Sequence, residues 1–141
     1  MSVVSNSSPL IALEQIRQLD LLQSLFGQIL IPGQVAAETV ASVQPPSWIR
    51  QRSLSLPVLP AVLRPTLGPG EREAICLAVE VHARAILLDD DPARKLAIQL
   101  GLPVIGTAGV MVLAKERQLI PAVKPYLDAL IENRFFLARA V

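Results

Sequence analysis

The chain has 141 residues, enough for one domain spanning 1–141 around one well-buried core. Hydrophobic residues make up 52% and charged residues 18%, against averages of about 45–50% and about 25%. The formal charge of +1 excludes a protein that coats nucleic acid by bulk electrostatics, but leaves room for a local basic rim around an acidic pocket.

Val3-Val4-Ser5 reads as a short strand, and Asn6-Ser7-Ser8-Pro9 opens a helix with Ser8 as N-cap and Pro9 at its first position. Helical spacing of Leu10, Leu13 and Ile16 continues in helical style over Asp20 to Phe26, and Gly27 stops it. Gln28 to Ile31 is the second strand. After Pro32 and Gly33 a helix runs from Gln34 to about Val40 and carries Glu38. The stretch from Ser42 to Pro60 holds four prolines, and its alternating Leu54, Leu56 and Val58 predict a brief edge strand. Gly68-Pro69-Gly70 launches a helix from Glu71 to His82, with Ala74, Leu77, Ala78 and Val81 on one face. Ala85 to Leu88 is an apolar strand ending in Asp89-Asp90-Asp91, and Pro92 begins a helix that Gly101 caps. Pro103 to Ile105 is a further strand, Gly106-Thr107 opens a helix over 108–117, and residues 122–132 form another. Phe135 to Leu137 read as a last strand. Strands alternating with helices imply crossover connections and a central parallel sheet covered on both faces, a three-layer α/β/α fold.

In such a sheet ligands sit beyond the carboxyl ends of the strands. Asn6 follows the first strand, Glu38 lies on the helix after the second, and Glu71 and Glu73 open the long helix. Asp89, Asp90 and Asp91 follow the next apolar strand and Thr107 the last. Carboxylates from separate segments repel one another when gathered, and a hard divalent cation relieves this. Mg²⁺ takes oxygen ligands and keeps several waters. It can activate a water and stabilise charge on a phosphodiester, so metal-dependent phosphodiester hydrolysis is the matching chemistry. Each acid has an ordinary reading too. Glu71 and Glu73 favour a helix dipole, an Asp after a strand caps the next helix, and Glu38 can be a solvated helix residue.

Four blocks carry a family resemblance: VVSNSSPLIAL, LFGQILIPGQVAAE, GPGEREAICLA and ILLDDDPARKLAIQLGLPVIGT. In this order the chain, over about residues 2 to 134, resembles the PIN-domain family. It is most similar to the branch of short prokaryotic predicted nucleic-acid-binding proteins related to the VapC-type toxins of toxin–antitoxin pairs. The resemblance implies a PIN-like α/β/α fold, a Mg²⁺- or Mn²⁺-dependent ribonuclease acting on RNA, frequent homodimers and a small antitoxin protein as partner. It places the catalytic set on Asn6, Glu38, Glu73 and Asp90. The metal ligands fall among Glu38, Glu71, Glu73, Asp89 and Asp90, and Ser8 and Thr107 support them. Asn6 departs from the family pattern, which has an aspartate there. An asparagine offers a neutral oxygen and removes one negative charge from the site. The alternative is therefore a catalytically weakened PIN-like module that binds RNA or protein.

Arg94 and Lys95, just after the aspartate turn, are the candidates for gripping RNA phosphates. Cys76, the only cysteine, excludes an intrachain disulfide, suits a reducing cytoplasm and is expected to be a packed thiol. His82 lacks a second ligand nearby, Trp48 reads as a loop anchor, and Gly68-Pro69-Gly70 lacks the Lys-Ser/Thr of a phosphate loop. No secretory signal is visible, and the longest apolar run, Val104 to Ala114, is well short of the roughly 20 residues that span a bilayer. No membrane association is expected. So apolar a chain is expected to cover part of its surface with a second copy, most simply as a homodimer.

Overall fold

The computed structural model describes residues 2–140, with side chains over 2–133. In chain order its elements are β1 Val3–Ser5, α1 Ser7–Gln15, α2 Asp20–Phe26, β2 Ile29–Ile31, α3 Gly33–Thr39 and β3 Ile49–Gln51. They continue with α4 Pro69–Glu80, β4 Ala85–Leu87, α5 Asp91–Gln99, β5 Val104–Ile105, α6 Thr107–Glu116 and α7 Lys124–Ala140. A short 3₁₀ turn, Pro60–Val62, precedes α4.

All five strands are parallel, in the order β3-β2-β1-β4-β5. The chain steps outward from β1 to β2 and β3, then crosses back to place β4 on the other side of β1. The order therefore reverses between β1 and β4, where such sheets bind ligands at their carboxyl ends. Every residue of β1, β2 and β4 is buried, which is why these strands read as unbroken apolar runs instead of alternating ones. Seven helices among the described residues flank the sheet, as the three-layer α/β/α reading required. On one side α4 packs on β1 and β4 with α3 and α5 beside it, while contacts of α2 with α6, and of α1 and α6 with α7, build a second group.

Three local expectations are corrected. The edge strand is Ile49–Gln51, not the Leu54–Val58 segment. The backbone N–H groups of Ser55 and Leu56 donate to the Glu80 carboxylate at 2.7–2.9 Å, so a side chain on α4 takes donors that a sheet ladder would have used. Residues 135–137 belong to α7 and form no strand. Helix α1 begins at Ser7, with Asn6 rather than Ser8 at the N-cap. Pro9 is then its third residue, where a missing N–H still falls among donors without intrahelical partners.

Cys76 is a buried free thiol and Trp48 packs part-buried against the core, both as expected. No helix among the described residues is long and apolar enough to cross a membrane.

Candidate functional site

A hollow of about 280 Å³ lies at the switch point of the sheet. Asn6 enters it from the end of β1, Glu38 from α3, Glu71 from the first turn of α4, and Asp90 from the end of β4. Ser7, Ser8, Gly68 and Gly70 complete the wall. Segments far apart in sequence thus deliver oxygen-bearing side chains to one place.

Asn6 is 5% exposed. Its backbone N–H extends the sheet by donating to the Leu87 carbonyl at 3.0 Å. It holds the N-cap position of α1 with extended backbone, yet makes no side-chain capping bond. Its Oδ1 is buried without a hydrogen-bond partner among the described residues. A buried amide oxygen left unpaired costs about 1–3 kcal/mol, so this atom marks the wall as built to face a polar group.

Glu38 is exposed as a residue, but its carboxylate is held from two directions. The Ser7 hydroxyl donates to Oε1, and the Gly70 N–H donates to Oε2 at 3.2 Å. Glu71 reaches back to accept the Gly68 N–H at 2.8 Å, closing a capping box at the start of α4. Burial pushes the Glu71 carboxyl above its usual range; the Gly68 N–H pulls the other way, and the charges of Asp90 and Glu38 add to the rise. Asp90 is exposed, stands at the N-cap of α5 and makes no side-chain capping bond. Its carboxylate lines the hollow beside that of Glu71, with which it interacts.

The two paired alternatives separate cleanly in space. Glu73 does not line the hollow: its Oε1 accepts the Gln34 N–H at 2.8 Å and so satisfies a free donor at the start of α3. Asp89 turns toward β5 instead, accepting the Thr107 N–H at 2.8 Å on Oδ1 and the Thr107 hydroxyl at 2.5 Å on Oδ2. Thr107 supports Asp89 at the start of α6, while Ser8 is exposed at the rim of the hollow. The half-buried Arg94 donates from Nη1 to the Leu88 carbonyl at 2.9 Å and lines a separate groove along β5 with Asp89 and Asp91. Lys95 is exposed on α5.

Two residues of the site were missed in the sequence, Ser7 and Gly70. Placing the start of α1 two residues late, at Pro9 instead of Ser7, puts the wrong serine forward. Gly70 did carry a signal: a glycine in a helical first turn is about 1 kcal/mol poorer than alanine, and such a residue usually has a packing reason.

The donors suit a hard divalent cation in kind: three carboxylates and an amide oxygen, with no sulfur or imidazole among the wall residues. The unpaired buried Asn6 Oδ1 and the raised Glu71 carboxyl are the features a cation would relieve. Among the described residues no three acidic, His or Cys side chains stand close enough to form a ready-made cage. Glu71 is turned back to the Gly68 N–H, so closing a ligand set around the held Glu38 takes movement of the other acids.

Comparison with known proteins agrees with this layout. No protein of curated function matches the sequence. A PilT N-terminus domain protein from the hyperthermophilic archaeon Sulfolobus solfataricus has a similar fold, with a TM-score of 0.62 and 19% identity over 81% of this chain and 93% of that one. Residues 2–141 match a family described as a PIN domain. PIN domains are typically nucleases that use divalent metal ions. Topology, switch-point hollow and family match agree, and the chain belongs to the PIN-domain family.

Proposed function

We propose that this protein is a metal-dependent endoribonuclease whose ligands are Glu38, Glu71 and Asp90, with Asn6 as a neutral fourth donor. The carrying observation is the buried, unpartnered Oδ1 of Asn6, a residue that lines a hollow three carboxylates share. A divalent cation bound there supplies charge stabilisation for phosphodiester hydrolysis; Mg²⁺ and Mn²⁺ both suit all-oxygen donors. Asn6 orients a ligand or water without adding charge. Glu73 and Asp89 act one layer out in this reading, fixing the starts of α3 and α6. Arg94 and Lys95, on the helix that Asp90 caps, lead an RNA strand past the hollow by contacting phosphates.

Similarity of the four sequence blocks to VapC-type proteins supports a toxin role, with a small antitoxin as partner. Exposed Val40, Leu56, Leu63 and Ile131, each more than 60% accessible, support a homodimer that covers some of this surface. A second reading, an RNA- or protein-binding module with little catalysis, is favoured by the neutral Asn6 and by the open arrangement of the acids.

Single-stranded RNA incubated with the protein and Mn²⁺ or Mg²⁺ decides between them. The nuclease reading expects cleavage that stops when EDTA removes the metal and resumes when the metal is restored. RNA bound but left intact, under every metal condition, supports the second reading and rejects the first.

A further inference from the structure

Glu38 is the one acid of the hollow gripped from two other helices, by Ser7 of α1 and by the Gly70 N–H of α4. The space this requires comes from Gly70. A Cβ at position 70 would lie 2.8 Å from Glu38 Cδ and 3.0 Å from Oε2, and nearer still to Oε1. Real side chains essentially never pack so closely, so the carboxylate occupies the room that any side chain at 70 would take. Gly70 does not have the left-handed backbone that requires glycine, and it sits in the first turn of α4, where alanine is the better helix former. What glycine supplies here is therefore room, not conformational freedom.

We propose that Gly70 and Ser7 are positioning residues that clamp Glu38 in the hollow, and that the cation affinity of the site depends on this clamp. The inference rests on the metal-site reading above. A purely structural alternative makes the Glu38 contacts a tie between α1, α3 and α4. The two differ in what Gly70→Ala does. The atoms it meets are the far end of a flexible side chain, so the fold accommodates the methyl by letting Glu38 swing out. The clamp predicts that cation binding falls while the fold stays intact, whereas a tie predicts that the fold weakens.

The test is calorimetric titration of Mn²⁺ into the full chain, with thermal melting of each variant alongside. Gly70→Ala is expected to weaken Mn²⁺ binding by about 10–100-fold, the usual effect of losing a residue that orients a ligand, with little change in melting temperature. Ser7→Ala is expected to act in the same direction and Ser7→Thr, which keeps the hydroxyl, to restore binding. Ser7→Ala also keeps the test decisive should Gly70→Ala fail to fold. If wild type binds Mn²⁺ and both variants bind within twofold of it, the clamp is wrong and the metal site stands. If wild type binds no Mn²⁺, the metal-site reading and the clamp fall together.

Discussion

Asp90→Asn is expected to lower metal-dependent RNA cleavage by more than about 100-fold while leaving the melting temperature nearly unchanged. Residues that merely orient metal ligands are typically worth about 10–100-fold, and a direct ligand should exceed that. The substitution is conservative for the fold. Asp90 holds the N-cap of α5 without using its side chain for capping, it is exposed, and asparagine is as good an N-cap as aspartate. What changes is charge: one of three carboxylates facing the hollow becomes a neutral amide. Asn6 already contributes one neutral donor, so the variant would offer two amides and two carboxylates. RNA cleavage assays paired with melting curves check this. Activity within about threefold of wild type would remove Asp90 from the site.

Asn6→Asp is expected to act in opposite directions with and without metal. Without it, the change places a fourth carboxylate at a position only 5% exposed, beside three others. Burial and neighbouring acids already push the Glu71 carboxyl up, and the new group would be pushed the same way. The sign follows from linkage. A carboxyl whose pKa is higher folded than unfolded leaves the folded state holding the extra proton. Its unfavourable contribution is absent below the unfolded pKa and grows as pH rises toward the folded one, at about 1.4 kcal/mol for each unit of difference. The metal-free variant should thus match wild type near pH 4 and melt well below it near pH 8. Saturating Mn²⁺ should reverse the order, because the added charge strengthens cation binding and a ligand that binds only the folded state stabilises it. Cleavage should rise with the restored charge. Melting at two pH values, with Mn²⁺ or EDTA, tests all of this. A variant that Mn²⁺ stabilises no more than wild type would show that Asn6 does not face a cation.

The sheet was largely legible in the chain because its strands are buried on both faces. Val3-Val4, Ile29 to Ile31 and Ala85 to Leu87 have no exposed side to break the apolar run. β3 was not legible, since Arg50 and Gln51 are exposed at a sheet edge and carry no apolar pattern. Leu54, Leu56 and Val58 do alternate, but Glu80, distant in sequence, takes the backbone donors of Ser55 and Leu56.

The acids were legible as a group and ambiguous in pairs, for a geometric reason. Residues two apart on a helix point about 200° apart, so Glu71 and Glu73 cannot both face the hollow. Which one does depends on where α3 packs, and its free Gln34 N–H claims Glu73. Asp89 and Asp90 leave the end of β4 in different directions, one to Thr107 and one to the hollow. Nothing local to DDD says which is which. The clamp on Glu38 was invisible because it is a contact between α1, α3 and α4, elements that only the finished fold brings together.

In the proposed site Glu38, Glu71 and Asp90 converge with Asn6 on one cation, and Glu73 stands outside that set. Titrating Mn²⁺ into wild type, Glu71→Gln and Glu73→Gln separates the two glutamates, since glutamine preserves the capping box at position 71 and can still accept the Gln34 N–H at 73. The expected result is binding by wild type, a loss of at least about tenfold in Glu71→Gln, and near-wild-type binding in Glu73→Gln. Mn²⁺ affinity that survives in Glu71→Gln but collapses in Glu73→Gln would contradict it.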